Sequence, residues 1–357
     1  QLVESGQFKL GTDYRSLFVS NTLNKDEIIW GKSCSADLEV AHFTSYRYNN
    51  ANENRWGATK DYVMMFLQKN GKPVASGEVS VTEEFKDRDK RLSATVLAPG
   101  MMKKDATGKS VNYSPDFTCT TTGYQWIKWV VAEDAPMTSG GVARSYNSEG
   151  YLRYAEVLLN YAEAAAELGV MDQTVWNATI GELRTKHGGL TAAPCPGTAE
   201  YVADSWLRKY YSTDVMHRFD YSDFVLEVRR ERATELMLEE GSRYNDLMRW
   251  NLGDLIVRRY NNQGWKGIYL TQKDVQRGFD FNGAHYTVSG TGKDSNRNYN
   301  ISSGSSNNTH ILTGGDHGYL IYNLKLTWDD KMYLTPIPVT AINVNPNLSQ
   351  NNGWQWI

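Results

Sequence analysis

Residues 229–250 read RRERATELMLEEGSRYNDLMRW, and this stretch decides the fold that the sequence predicts. Apolar side chains recur on one side of a helix that Asp223 is expected to cap. Gly241 interrupts that helix, and Ser242 is a suitable first cap for the next one. The stretch therefore predicts two helices joined by a short turn, an antiparallel hairpin over residues 223–260.

The clearest helical periodicity in the chain precedes this hairpin. From Tyr151, apolar residues recur at steps of three and four until Gly169. Asp172 is a good N-cap for a further helix that ends by residue 188, so residues 151–188 predict another hairpin. An isolated pair cannot bury its own apolar face, and two such pairs resemble tetratricopeptide units. The predicted fold class is mainly α, with tetratricopeptide-like helical hairpins, long loop-rich excursions and a few short strands.

These hairpins suggest a division of the chain near residue 150. Residues 1–150 are expected to be a loop-rich ligand-binding region with short helices and strands. Residues 151–357 are expected to hold both hairpins, a loop excursion over 261–332 and a C-terminal turn segment. Specific expectations are a strand at 28–30, a helix at 60–68, and loops over 43–58 and 289–309.

Composition excludes several classes of function. The 357 residues carry a formal net charge of −3 and a pI of about 6.1, which gives no electrostatic reason to bind nucleic acid. No apolar run approaches the roughly 20 residues of a membrane helix. Three dispersed cysteines support neither a disulfide framework nor a zinc cluster, and no two histidines have ligand-pair spacing. No metal and no cofactor are predicted.

Four segments in a fixed order resemble the SusD/RagB family. They are residues 153–164 (RYAEVLLNYAEA), 229–250, 333–338 (YLTPIP) and 345–354 (NPNLSQNNGW). The resemblance implies a surface lipoprotein of Bacteroidetes that captures nutrients, mostly glycans, and passes them to a SusC-like TonB-dependent outer-membrane transporter. It also implies an N-terminal lipid anchor, which is expected to lie outside this chain. Because residues 1–6 read as the last turn of a helix, the chain is expected to be the C-terminal part of a longer protein.

A binding site for sugars requires flat rings and polar groups together. An aromatic ring covers the C–H face of a pyranose, while amides and guanidinium groups bind the hydroxyls at its rim. Residues 43–58 supply both, and the alternative is that the rings only anchor this segment to the core. The candidate binding residues here are Tyr46, Arg47, Tyr48, Asn49, Asn50, Arg55 and Trp56.

Two further aromatic groups are candidates of lower rank. Residues 265–286 contribute Trp265 and Tyr269 to the predicted site, although a packed excursion is the competing interpretation. The other group favours core packing and comprises Tyr113, Phe117, Tyr124, Trp126 and Trp129.

Catalysis is not predicted. Glu239 and Glu240 are adjacent on a predicted helix and point about 100° apart, so they cannot flank one glycosidic bond. The charged residues of 229–246 favour a scaffold of ion pairs at helical spacing. The leading hypothesis is non-catalytic glycan binding at the cell surface. A peptide-binding member of the same family, an all-α glycoside hydrolase and a helical-repeat adaptor remain alternatives.

Overall fold

The computed structural model describes residues 2–49, 55–105, 107–131, 144–212, 221–255, 257, 264–291, 296–302, 308–313, 317–322 and 325–354. Helix accounts for 35% of the structure and strand for 17%, so helices predominate, as predicted. The helices of the described residues are α1 (Leu2–Ser5), α2 (Ser16–Val19), α3 (Thr44–Asn49), α4 (Lys60–Met65), α5 (Val81–Glu84), α6 (Lys90–Thr95), α7 (Tyr154–Glu167), α8 (Gln173–Trp176), α9 (Glu182–Lys186), α10 (Ser205–Tyr211), α11 (Asp223–Glu235), α12 (Ser242–Arg249), α13 (Gln272–Arg277) and α14 (Val339–Val344).

The strands of the same residues form two ribbons and one larger sheet. They are β1 (Ile28–Lys32), β2 (Met102–Lys104), β3 (Ser110–Asn112), β4 (Glu149–Arg153), β5 (Trp265–Leu270), β6 (Phe279–Phe281), β7 (Ala284–Thr291), β8 (Asn296–Ser302), β9 (Asn308–Thr313) and β10 (Gly318–Tyr322). β1 pairs with β4 and β2 with β3, each antiparallel. The third sheet is antiparallel, with strand order β5-β10-β9-β8-β7-β6.

The first predicted hairpin is present in outline. The Asp172 side chain accepts a hydrogen bond from the Val175 amide at 2.8 Å and caps α8, as predicted. A π-helical turn over Asn177–Gly181 connects α8 to α9. The Trp176 ring is fully buried against the apolar face of α7, which supplies the burial that a short helix needs.

The second hairpin is present with different caps. Ser222, not Asp223, caps α11 by accepting from the Val225 amide at 3.3 Å. Gly241, with a φ of +69°, occupies the cap position before α12, so Ser242 is already helical. The comparison of these pairs with tetratricopeptide units stays a prediction.

Two predicted loops are wrong. Residues 43–58 contain α3, and the described residues of 289–309 lie in β7, β8 and β9. The excursion over 261–332 therefore carries a sheet. The strands were missed because a central strand such as β8 obtains its backbone hydrogen bonds from neighbours on both sides and needs no continuous apolar pattern.

One apolar core joins this sheet to the N-terminal half of the chain. Ile268, Leu270 and Leu320 from the sheet pack with Val63 and Phe66 from around α4. The division near residue 150 remains a prediction, because contacts between the two parts do not show whether each part folds independently. Among the described residues, no helix combines the length and apolarity that crossing a bilayer requires.

Candidate functional site

Trp56 presents an open ring beside a second aromatic side chain. Its side chain is 53% exposed, and its ring centroid lies 6.4 Å from that of the half-buried Tyr48 on α3. Burial raises the pKa of Tyr48 to about 12, so its hydroxyl stays neutral at physiological pH. The pair places the open Trp56 indole beside a tyrosine whose hydroxyl is largely buried.

The backbone that carries Trp56 is fixed by Arg55. Arg55 has a φ of +54°, an uncommon conformation for a residue with a side chain. Its Nη2 donates to the Phe117 carbonyl at 3.1 Å, and its own carbonyl accepts from the Thr121 amide at 3.2 Å. These bonds hold the segment before Trp56 against residues 117–121.

Gly57 allows a close approach on the other side of Trp56. A Cβ on Gly57 would lie 2.2 Å from the Thr120 hydroxyl and 2.3 Å from that of Thr122. The next amide, of Ala58, donates to the Tyr124 carbonyl at 2.9 Å. The backbone on both sides of Trp56 is therefore hydrogen-bonded to residues 117–124.

The second predicted segment meets the first at Thr122. The Ile268 amide donates to the Thr122 carbonyl at 2.8 Å, and a Cβ on Gly267 would lie 2.1 Å from that oxygen. Thr122 is thus packed between Gly57 and Gly267, which are 210 positions apart in the sequence. The structure brings both predicted segments into one neighbourhood.

The two predicted residues of β5 differ in exposure. Trp265 is half-buried, whereas Tyr269 is 9% exposed and makes an edge contact with Tyr319 at 5.0 Å between ring centroids. Ligand binding by either residue remains a prediction. Of the aromatic residues predicted to bind, Trp56 has the most exposed side chain.

The other predicted residues spread around α3. Arg47 is exposed and Tyr46 is half-buried. Positions 46 and 48 are about 200° apart on a helix, so their rings cannot share one face. The backbone of Asn49 ends α3, and Asn50 lies outside the described residues.

Residues 116–121 also belong to this neighbourhood, and none of them is among the residues that the sequence predicts to bind. Asp116 is exposed and accepts from the Thr118 hydroxyl at 2.6 Å, beside the Phe117 carbonyl that binds Arg55. Hydroxyl and carboxylate groups of this kind can bind the rim of a sugar. The polar run DFTCTTT at 116–122 was the available signal.

The charged residues of α11 form a buried scaffold. Arg184 bonds Glu227 at 2.6 Å and Glu231 at 2.8 Å, and Arg91 bonds Glu231 at 2.5 Å. The partners come from other elements, so the expected pairing along one helix is only a minor part of the network. Glu239 lies between Arg153 and Lys128, each at 2.6 Å, so both oxygens of its carboxylate are in ion pairs.

One buried group has the residue types of a metal site. Ligand-type atoms of Glu27, His187 and Glu235 lie within 4.8 Å of one another. Burial lowers the pKa of His187, but Glu235 and Glu27 together outweigh burial and raise it to about 9. The protonated ring donates to both carboxylates, at 2.8 Å and 3.2 Å, and Arg153 also bonds both. This arrangement is an ion-pair cluster, because an imidazolium has no lone pair for a metal.

A scaffold with buried ion pairs and a solvent-facing aromatic side chain is typical of proteins that bind small ligands or polymers at their surface. The SusD family model matches residues 22–354, and the chain belongs to the SusD family. No sequence match is found among curated proteins.

Solved structures of SusD-like proteins share the fold. A SusD-like carbohydrate binding protein from Bacteroides fragilis is similar with a TM-score of 0.63 and 21% identity, over 98% of this chain and 59% of that one. A SusD-like protein from the same organism gives a TM-score of 0.56 and 19% identity, over 97% and 59%. The chain therefore spans about three fifths of the length of these relatives.

Proposed function

We propose that this protein binds glycans without cleaving them, and that Trp56 is the central contact. The observation that carries the proposal is the exposed Trp56 ring, held by backbone contacts on both sides and paired with Tyr48. A pyranose would stack its C–H face on the indole, and its hydroxyls would bind Arg55 and Arg47. Membership of the SusD family and the similarity to a carbohydrate binding relative support this choice of ligand.

The proposal includes a place at the cell surface. SusD-like proteins are in general surface lipoproteins that work with SusC-type transporters. We propose that the intact protein is anchored to the outer membrane through an N-terminal lipid and delivers glycan to a TonB-dependent transporter. Co-purification of the lipidated protein with an outer-membrane transporter is the expected result, and its absence from outer-membrane fractions would contradict this part.

A panel of polysaccharides tests the binding function. Calorimetric titration uses soluble starch, xylan, mixed-linkage β-glucan and mannan as neutral probes, with polygalacturonate and hyaluronan as acidic ones. A reducing-sugar assay runs on the same samples. Binding without product release is expected. Release of sugar would establish the hydrolase alternative, whereas binding of extended peptides and of no glycan would establish the peptide alternative.

Trp56→Ala is the informative variant. Loss of the stacking surface should weaken glycan binding by roughly 1–3 kcal/mol, the contribution that aromatic stacking makes to other flat ligands. Tyr244→Ala is the matched control, because Tyr244 on α12 is also 53% exposed and lies on a different element. Wild-type affinity in Trp56→Ala would remove this residue from the site.

A further inference from the structure

A second exposed aromatic pair lies on the β1–β4 ribbon. The Trp30 side chain is 65% exposed, and its ring centroid lies 5.1 Å from that of Tyr151 at an interplanar angle of 68°. Trp30 lies on β1 and Tyr151 on β4. The indole therefore keeps most of its surface in water while the Tyr151 ring supports it from one side.

The ribbon is built irregularly at this position. The register between β1 and β4 shifts on both sides of Trp30, and such irregularities redirect a side chain. A Cβ on Gly31 would lie 2.6 Å from the Glu149 carbonyl, and a Cβ on Gly150 would lie 2.7 Å from the Ile28 side chain. Two glycines thus permit a backbone that presents the indole to solvent.

Charged groups surround the pair. Lys32 and Glu149 form an ion pair of 3.4 Å beside it, with side chains 40% and 24% exposed. Partial burial raises the pKa of the Tyr151 hydroxyl, and the negative charges of Glu149 and Glu240 add to that shift while Lys32 opposes it. Lys32 and Glu149 are also cross-strand partners in this ribbon, and of the three charges that act on the Tyr151 hydroxyl two are negative and one is positive.

The turn that carries Glu240 is fixed in position. Leu238 and Glu240 both have positive φ, at +63° and +41°. The Trp129 indole N–H donates to the Leu238 carbonyl at 2.9 Å, and the buried Lys128 donates to the Met237 carbonyl at 2.8 Å. These bonds fix the backbone just before Glu240, whose exposed carboxylate can accept hydrogen bonds from hydroxyl groups.

We infer that Trp30 and Tyr151 form a second stacking site for neutral saccharides, an inference that rests on the proposed function. The Lys32–Glu149 ion pair borders the two rings with charge, whereas the centre of a dry protein interface is depleted of charged residues. Carboxylates accept hydrogen bonds from sugar hydroxyls, and the net negative rim disfavours uronic acids. On a long polymer this site would add avidity to the Trp56 site.

Four proteins in the same titration test the inference, with the tightest neutral polysaccharide of the panel as the probe. They are the wild type, Trp30→Ala, Trp30→Phe and Trp56→Ala. Trp30→Ala should weaken polymer binding about tenfold, and Trp30→Phe, which keeps a flat ring, should restore most of it. The melting temperatures should agree, because the Trp30 side chain is largely exposed.

The outcomes separate the two proposals. If Trp56→Ala loses affinity while Trp30→Ala binds like the wild type, the second site is disproved and the proposed function stands. If Trp30→Ala keeps its affinity but melts at a lower temperature, the indole packs against protein and the inference is again wrong. If the wild type binds only acidic polysaccharides, the second site is disproved. If the wild type binds no polysaccharide at all, both the second site and the proposed function are disproved.

Discussion

Trp56 is positioned by the residues around it and not by burial of its own ring. Arg55 and Gly57 bind or contact residues 117–122, and the indole remains 53% exposed between them. Composition alone predicted that rings and guanidinium groups in this segment suit a sugar. It could not predict which ring faces solvent, because α3 turns Tyr46 and Tyr48 to different sides and the contacts of Arg55 join residues distant in sequence.

The charge of His187 should make stability depend on pH in a defined direction. The folded-state pKa of about 9 lies above the ordinary value of 6.5, so the protonated form is favoured by folding. Its contribution is fully present below about pH 6.5 and is lost as the pH rises through 9. His187→Gln should therefore be less stable than the wild type by on the order of 3 kcal/mol at pH 6, with the difference shrinking towards pH 10.

Urea unfolding of both proteins between pH 6 and pH 10 measures this effect. The difference between the two curves isolates His187 from the other buried groups, including Lys128, whose pKa burial lowers to about 8. A difference that does not change with pH would show that His187 is neutral in the folded protein.

The elements differ in how far local sequence determined them. α7 and α11 were predictable because their apolar positions repeat at helical spacing. β8 and β9 were not, because a strand in a polar run is defined by partners elsewhere in the chain. The same limit applies to the charges of α11, whose partners lie on α6, α9 and other segments.

Two cations on α9 provide a matched test of the buried network. Arg184 is buried and bonds Glu227 and Glu231, whereas Lys186 forms an exposed pair with Glu182 at 2.8 Å. Arg184→Met should cost about 3–5 kcal/mol, because it leaves buried carboxylates under-compensated. Lys186→Met should cost no more than about 1 kcal/mol. Urea denaturation followed by circular dichroism measures both, and equal losses would contradict the assigned role of the buried pairs.

At the scale of the whole molecule, the sheet and the N-terminal half together form the surroundings of the proposed site. The Thr122 carbonyl accepts a hydrogen bond from the Ile268 amide, and the Thr122 side chain faces Gly57. The backbone position of Trp56 therefore depends on contacts between residues that are far apart in the sequence. The family and the helical scaffold could be inferred from four short segments. The convergence at Thr122 could not, because it depends on backbone contacts between residues more than 140 positions apart.

A crystal structure with an oligosaccharide from the tightest-binding polysaccharide tests the central claim most directly. We expect an intact saccharide with one pyranose stacked on the Trp56 indole and its hydroxyls within hydrogen-bonding distance of Arg55 or Arg47. A saccharide bound with the Trp56 ring uncovered, or one whose glycosidic bond has been cut, would contradict the account.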